Sequence, residues 1–412
     1  MKRKILLIAT LFTGTYASAQ VTDTASMGAG YANENYYALS NGDNVSIVRD
    51  DWDLAFASDG LGSSSSTIRI NGSIGTELYL FSNDTADWGS LDTTGFQWSQ
   101  LINSETDWST SAFQNQTPAS GFDLGWGTYN SITHIVSGDR IFLLKLANGG
   151  YKKLIVDQLT GGIFTFHYAD LDGSNLVQAS VSKSNYAGKN FGYYSLQNNA
   201  SLDREPLANS WDLLFTKYIV DLGGGYLYGV TGVLANAGIQ VAQANNVNNV
   251  LTESWQGHSF DDNIGAIGWD WKSFNMTTFT YDIEDSLVYF IEDEIGDIYK
   301  VIFTEFGGSS TGDFIFTKEL VNAVGFTELK NQILNVYPNP ASGIINVIFS
   351  SNENEISLSI VDLSGRAVAS REFNVNAGMG QESIETAHLN SGIYLLILRT
   401  SKGIETQKIT IR

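Results

Sequence analysis

Apolar and polar residues alternate in short runs along most of this chain, and Gly, Asn and Ser separate the runs. Period-two alternation marks strands with one buried face, and the intervening residues are those that make turns. Residues 139–168 show the pattern. A run at 140–146 leads to Asn148-Gly149-Gly150, a second at 151–157 leads to Thr160-Gly161-Gly162, and a third follows at 163–168. A three-stranded meander of this kind needs a second sheet to cover its apolar face. Helical periodicity nowhere exceeds two turns. Residues 235–250 have room for a short helix, although their Asn and β-branched residues work against it. The predicted fold class is all-β.

The same patterning contains a duplication. Tyr36-Tyr37-Ala38-Leu39 is answered by Tyr193-Tyr194-Ser195-Leu196, and Trp52-Asp53-Leu54-Ala55-Phe56 by Trp211-Asp212-Leu213-Leu214-Phe215. Trp108 with Phe113 answers to Trp255 with Phe260, and Trp126 with Tyr129-Asn130 answers to Trp271 with Phe274-Asn275. Tyr151-Lys152-Lys153-Leu154 has its counterpart in Tyr299-Lys300-Val301. The matches keep their order, so two tandem antiparallel β domains are expected, at 21–180 and 181–320, followed by a linker at 321–330. Trp52, Asp53, Trp211 and Asp212 mark the repeat core. Alternation would put Trp, Leu and Phe of each motif on the core face and Asp on the other.

Residues 331–412 form a third unit. Prolines 338 and 340 flank Asn339, which forces a turn, and alternating runs follow at 344–349, 356–361 and 394–398. Spacing of this kind predicts about seven short strands in a small Ig-like sandwich. Its landmarks are Tyr337-Pro338-Asn339-Pro340, Asp362 with Gly365-Arg366, Gly392 with Tyr394, and Lys408 close to the end. Together they resemble the C-terminal sorting domain of the type IX secretion system of the Bacteroidota. That resemblance implies the type IX machinery as a partner and export across both membranes, to a secreted or surface-anchored state.

The other end agrees. Lys2-Arg3-Lys4, an apolar stretch at 5–12 and Ala17-Ser18-Ala19 read as a signal peptide over 1–19. The apolar stretch is too short to span a bilayer and no later one is longer, so no transmembrane segment is expected. Composition adds two exclusions. The chain has no cysteine, which rules out disulfides, thiolate metal sites and a lipoprotein anchor. Its net charge of -21 argues against nucleic acid as a partner.

The repeated unit resembles the HmuY-type haem-binding proteins. The likeness lies in Trp-Asp-Leu-Ala-Phe at 52–56, in the hairpin carrying Gly150-Tyr151-Lys152-Lys153-Leu154, and in the closing strand at 162–168. It implies an HmuY-like fold in each copy, with a haem slot at one end of the sheets and axial donors between the Trp-Asp strand and the hairpin. Copy one has no His or Met at 81–130, whereas copy two offers His258 and Met276 as cofactor-binding candidates.

No catalytic residue is assigned, and the passenger is expected not to be an enzyme, with a carboxylate-based hydrolase as the alternative left open because carboxylate spacing is set in space and not in sequence. Gly308-Ser309-Ser310-Thr311-Gly312 fits G-x-S-x-G, but it precedes a predicted strand rather than a helix. Asp170-Leu171-Asp172-Gly173-Ser174-Asn175 is half of a calcium loop and reads as a turn. Trp88 and Trp98 lack counterparts and are the candidates for a flat hydrophobic or carbohydrate ligand. Two functions remain open: a non-catalytic binding module, or a structural or adhesive surface protein that has lost the ligand site.

Overall fold

The structure is a computed structural model that describes residues 20–62, 64–115, 118–323, 332–351, 355–362, 364–374, 378–400 and 403–412. The expected signal peptide and most of the expected linker lie outside these residues. Two compact units divide the chain at residue 323. Both are built from antiparallel strands, and the single α-helical segment among the described residues is one turn at Gly308–Thr311. Residues 235–250 hold a strand, Gln240–Ala244, and no helix. Val241 and Ala242 are buried on its opposite faces, so β-branching and two-sided burial prevail there.

Within the first unit the two repeats do not form separate bodies at 21–180 and 181–320. Leu54–Ala57, which follows Trp52-Asp53, pairs with Phe191–Ser195 of the second copy. Leu213–Asp221, which follows Trp211-Asp212, pairs with Asn33–Tyr37 of the first. Each copy therefore lends its Tyr-Tyr strand to the other. The register is the same in both exchanges, with Leu54 opposite Tyr194 and Leu213 opposite Tyr37.

The exchange yields two lobes of matching topology. In lobe I the four-stranded sheet Ala200–Leu202, Phe191–Ser195, Leu54–Ala57, Ile68–Ile70 faces the sheet that contains the 141–169 meander. In lobe II the corresponding sheet is Leu227–Ala235, Leu213–Asp221, Asn33–Tyr37, Asn44–Val48. It faces a five-stranded sheet ordered Val21–Ser26, Asp313–Asn322, Ile298–Phe306, Val288–Glu292, Gln240–Ala244. The first strand of the passenger thus closes against its last, in the register Val21 to Lys318.

Each lobe encloses its own core. Phe56, Trp126, Phe142, Phe164 and Tyr194 fill lobe I, and Tyr37, Phe215, Trp271, Tyr289 and Phe316 fill lobe II. Trp126 and Trp271 are fully buried and equivalent in the sequence repeat. Trp108 and Trp255 are not equivalent in space. Trp108 packs where the lobes meet and donates from Nε1 to the Ala235 carbonyl at 2.8 Å. Trp255 belongs instead to a small cluster with Phe260 on the outer face of lobe II.

The second unit is a sandwich of seven strands among the described residues. Gln332–Tyr337, Ile344–Ser351 and Gly378–Glu385 make one sheet. Ala367–Asn374, Glu355–Val361, Gly392–Thr400 and Gly403–Ile411 make the other. Val347, Leu358, Leu396 and Ile409 are fully buried between them.

Candidate functional site

The Trp-Asp motif does not lie in its strand. The strands begin at Leu54 and Leu213, and backbone bonds reach one residue further, from the Asp53 N–H to the Tyr194 carbonyl at 3.0 Å and from the Asp212 N–H to the Tyr37 carbonyl at 2.8 Å. Side-chain bonds then fix the motif. Asp53 Oδ2 accepts the Leu196 N–H at 2.7 Å, and Asp212 Oδ2 accepts the Leu39 N–H at 2.6 Å. Asn71 Nδ2 donates to the Trp52 carbonyl at 3.1 Å, as Asn236 Nδ2 does to that of Trp211 at 2.8 Å. The backbone ladder ends at each Asp, and Trp beyond it does not continue the alternation of Leu and Phe. Leu54 and Phe56 point into the lobe core, whereas Trp52 and Trp211 pack in the clusters between the lobes. Burial pushes the Asp53 carboxyl up, and Asp212 likewise to about 6.

The outer faces of the two four-stranded sheets meet, and a cleft opens between them. About 90 Å³ of it admits the centre of a water-sized sphere. The walls are equivalent aromatic pairs: Trp52 edge-on to Tyr193 at 5.0 Å, and Trp211 edge-on to Tyr36 at 4.9 Å. The hydroxyls of Tyr36 and Tyr193 approach to 3.5 Å. A residue that touches its own equivalent marks a two-fold axis, so the cleft sits on the axis of the duplication.

Buried charge lies beside it. Arg204 pairs with Glu34, and its Nε is 2.9 Å from Asp51 Oδ1. Its guanidinium carbon is 5.0 Å from the Tyr193 ring centroid. Among the described residues Glu205 forms no ion pair. Its Oε1 accepts the Asn190 N–H at 3.0 Å and its Oε2 the Tyr193 hydroxyl at 2.8 Å. Burial pushes its carboxyl up to about 7. Three buried atoms of cleft residues lack a hydrogen-bond partner: Trp52 Nε1, Trp211 Nε1 and Asn190 Oδ1.

The residues singled out for haem are not brought together by any described contact. His258 Nε2 lies 3.0 Å from Glu253 Oε1, and the ring stacks on Phe290 at 5.6 Å. Met276 is 74% exposed at the tip of the hairpin formed by Lys272–Asn275 and Thr280–Ile283. Trp88 lies under Lys153 Nζ at 4.5 Å and edge-on to His167 at 4.7 Å. Trp98, 47% exposed, packs on Tyr79 at 5.0 Å. Neither lines the cleft. The G-x-S-x-G stretch makes one helical turn, where Ser310 Oγ donates to the Gly307 carbonyl at 2.6 Å. Among the described residues no group of three or more His, Asp or Glu is placed to hold a metal ion. The cleft itself was illegible in sequence, because the residues lining it lie on outer strand faces whose partner sheet only the strand exchange supplies.

The landmarks of the second unit converge on its last strand and one turn. Asn339 Oδ1 accepts the Thr410 N–H at 2.9 Å, and its Nδ2 donates to the Lys408 carbonyl at 3.3 Å. The peptide bonds Tyr337–Pro338 and Asn339–Pro340 are cis. Asp362 Oδ1 accepts the N–H groups of Ser364 and Arg366 at 2.9 and 3.1 Å. The Ser364 hydroxyl holds the Asp362 carboxyl down to about 2. Gly365 takes the positive φ of 85° that this turn requires. Tyr394, two residues after Gly392, donates its hydroxyl to the Asn390 carbonyl at 2.9 Å.

Residues 335–412 match the family described as secretion system C-terminal sorting domain, and that domain indicates export by the type IX system. No family match supports the HmuY-type likeness of the repeated unit. No curated protein matches the chain. A solved structure described as "Biofilm associated protein - BSP domain" aligns over 100% of this chain and 84% of its own, at 8% identity. Its TM-score of 0.17 is too low to denote a shared fold. No helix among the described residues is long and apolar enough to cross a membrane.

Proposed function

We propose that the protein is a type IX cargo whose residues 20–323 act outside the cell as a non-catalytic binding module, with the interlobe cleft as the site. The sorting domain at 335–412 is the observation that carries the export half. The cleft between the lobes, walled by the equivalent pairs Trp52 with Tyr193 and Trp211 with Tyr36, supports the binding half. The non-catalytic reading is supported by Glu205, whose two oxygens are both held by hydrogen bonds inside the protein. Haem is not needed for this reading, since Glu253 engages His258 and Met276 lies at a hairpin tip.

The test is a truncation in a host with a working type IX system. The full chain should reach the cell surface or medium, and a chain lacking 335–412 should stay in the periplasm. Release of the truncated chain at normal yield overturns the proposal.

An adhesive role is the second reading, and one observation favours it. The equivalent hairpins at Gly127–Asn130/Ile135–Gly138 and Lys272–Asn275/Thr280–Ile283 expose Ile132 at 87%, and Met276 and Phe279 at 74%. Serine at these three positions should reduce attachment of cells to a surface if adhesion is the role, and leave it unchanged if the cleft is.

A further inference from the structure

We propose that a second cavity, in lobe I beside the hairpin Gly127–Asn130/Ile135–Gly138, binds a small amphipathic carboxylate, an acid group on a hydrocarbon or aromatic body. Its lining shares no residue with that of the interlobe cleft, so the proposal goes beyond the reading above and stands or falls without it.

The duplication supplies the comparison. Leu159 lies opposite Phe164 as Phe306 lies opposite Phe314, so Leu159 and Phe306 are equivalent. Val136 opposite Tyr129 matches Tyr281 opposite Phe274 in the same way. Gly127, which follows Trp126, answers to Lys272, which follows Trp271. In lobe II the larger side chains pack on one another. Tyr281 stands edge-on to Phe306 at 4.7 Å and to Phe274 at 5.2 Å, and Lys272 Nζ lies 4.6 Å from the Phe306 ring centroid. In lobe I all three positions hold a smaller residue. The hairpin there joins the sheet, with Val136 opposite Leu159, and a cavity still remains beside it. About 510 Å³ of this cavity admits the centre of a water-sized sphere, which is in the range of small-molecule sites.

The lining selects the ligand. Phe122, Leu124, Tyr129, Val136 and Leu159 give apolar walls that suit a hydrocarbon or aromatic body. The chain carries 44 Asp and Glu, yet among the described residues none lines this cavity. Two basic side chains do, His134 and Lys183. Lys183 Nζ donates to the Ser65 carbonyl, between Ser64 and Ser66 of the lining. Asp59, the carboxylate that acts on Lys183, is not part of the lining. His134 is exposed, and its Nδ1 is 2.7 Å from the Tyr129 hydroxyl. When that hydroxyl donates to Nδ1, Nε2 carries the ring hydrogen and can donate to a carboxylate. Phe279 holds the equivalent turn position in lobe II, with φ of 56° against 57° at His134, so the polar ring belongs to lobe I alone. An ammonium ligand would meet two basic groups and no carboxylate. A neutral hydrocarbon would gain nothing from either.

The experiment titrates the mature chain from Gln20 onward by calorimetry and follows the imidazole signals of His134 by NMR. The probes are hexanoate, octanoate and phenylacetate, each set against its alcohol and its primary amine. Saturable binding of at least one carboxylate is expected, about tenfold tighter than its alcohol and with a shift of the His134 signals. Leu159→Phe and Val136→Tyr install the residues that lobe II uses, and each should weaken binding about tenfold. His134→Phe should narrow the gap between acid and alcohol. Where a filled variant fails to fold, the wild-type His134 shifts decide. Equal or tighter binding of an alcohol or amine that shifts His134 keeps the cavity as a site and overturns the carboxylate class. Carboxylate binding that leaves His134 unmoved, or that keeps full strength in the folded filled variants, overturns the assignment to this cavity, as does no binding by any probe. The cleft and the truncation test of export are independent of all these outcomes.

Discussion

Asp53 and Asp212 hold the same hydrogen bond in opposite directions across the duplication. Asp53, from the first copy, binds the N–H of Leu196 in the second. Asp212, from the second copy, binds the N–H of Leu39 in the first. Each carboxylate fixes the Tyr-Tyr strand that the other copy lends, so the pair works as two matching clasps on the strand exchange.

Removing either clasp should therefore be costly. Asp53→Ala and Asp212→Ala are each expected to lose roughly 1.5–3 kcal/mol, the range for a hydrogen bond to a charged group. Urea unfolding of the passenger checks this, and Asn at either position should recover part of the loss. A change within a few tenths of a kcal/mol at both sites would show that the strands hold without them.

Arg204→Ala should destabilise by about 3–5 kcal/mol, because Glu34 is left buried without its counter-charge. Adding Glu34→Gln should return part of that loss. If the double variant is no more stable than the single one, the loss comes from packing and not from unpaired charge.

Glu205 should make stability depend on pH. Its folded pKa lies near 7, above the ordinary carboxyl value of 4.5, so the folded state holds a proton that the unfolded state releases. Its contribution is fully present below about pH 4.5 and is lost as pH rises through about 7. The effect is on the order of 3 kcal/mol, and Glu205→Gln should flatten it. Melting curves from pH 4.5 to 8.5 for both proteins provide the check; parallel curves would place the titration elsewhere.

Trp126→Ala should cost about 3–5 kcal/mol, since the ring is fully buried and donates to the Ser66 carbonyl at 2.8 Å. Trp98→Ala, at a half-exposed site, should cost much less. Thermal unfolding of the two variants side by side separates core from surface.

Deleting residues 20–27 removes the strand Val21–Ser26 and the fully buried Ala25 and Met27. Asp313–Asn322 then becomes an open edge, a template for pairing with other chains. The truncated protein should run as aggregates on gel filtration, and a well-behaved monomer would contradict this.

The sequence made the strands, the duplication and the sorting domain legible, because all three depend on local alternation and short motifs. Asn339, Asp362 and Tyr394 hold hydrogen bonds in and near turns, the kind of role their residue types announce. The exchange of strands was not legible. Tyr36-Tyr37 and Tyr193-Tyr194 are near-identical, so periodicity cannot say which Trp-Asp strand each will join. Trp52 and Trp211 were assigned to the lobe core because alternation was extended across Asp53 and Asp212, where the backbone ladder ends. Trp108 and Trp255 share a spacing to Phe and nothing else, which shows that one aromatic pair is weak ground for equivalence.

Strand exchange within one chain has a counterpart between chains. A protein holding only the first copy, residues 20–182, would carry a Tyr-Tyr strand and a Trp-Asp strand but no second copy to trade with. Two such chains could satisfy each other, each inserting residues 33–37 beside the other's 54–57, as domain-swapped dimers do. The present chain then amounts to a dimer written as a single polypeptide, with the two subunits tied so that they cannot separate on dilution. Sedimentation of the isolated first copy should accordingly show a dimer where the whole passenger shows one chain.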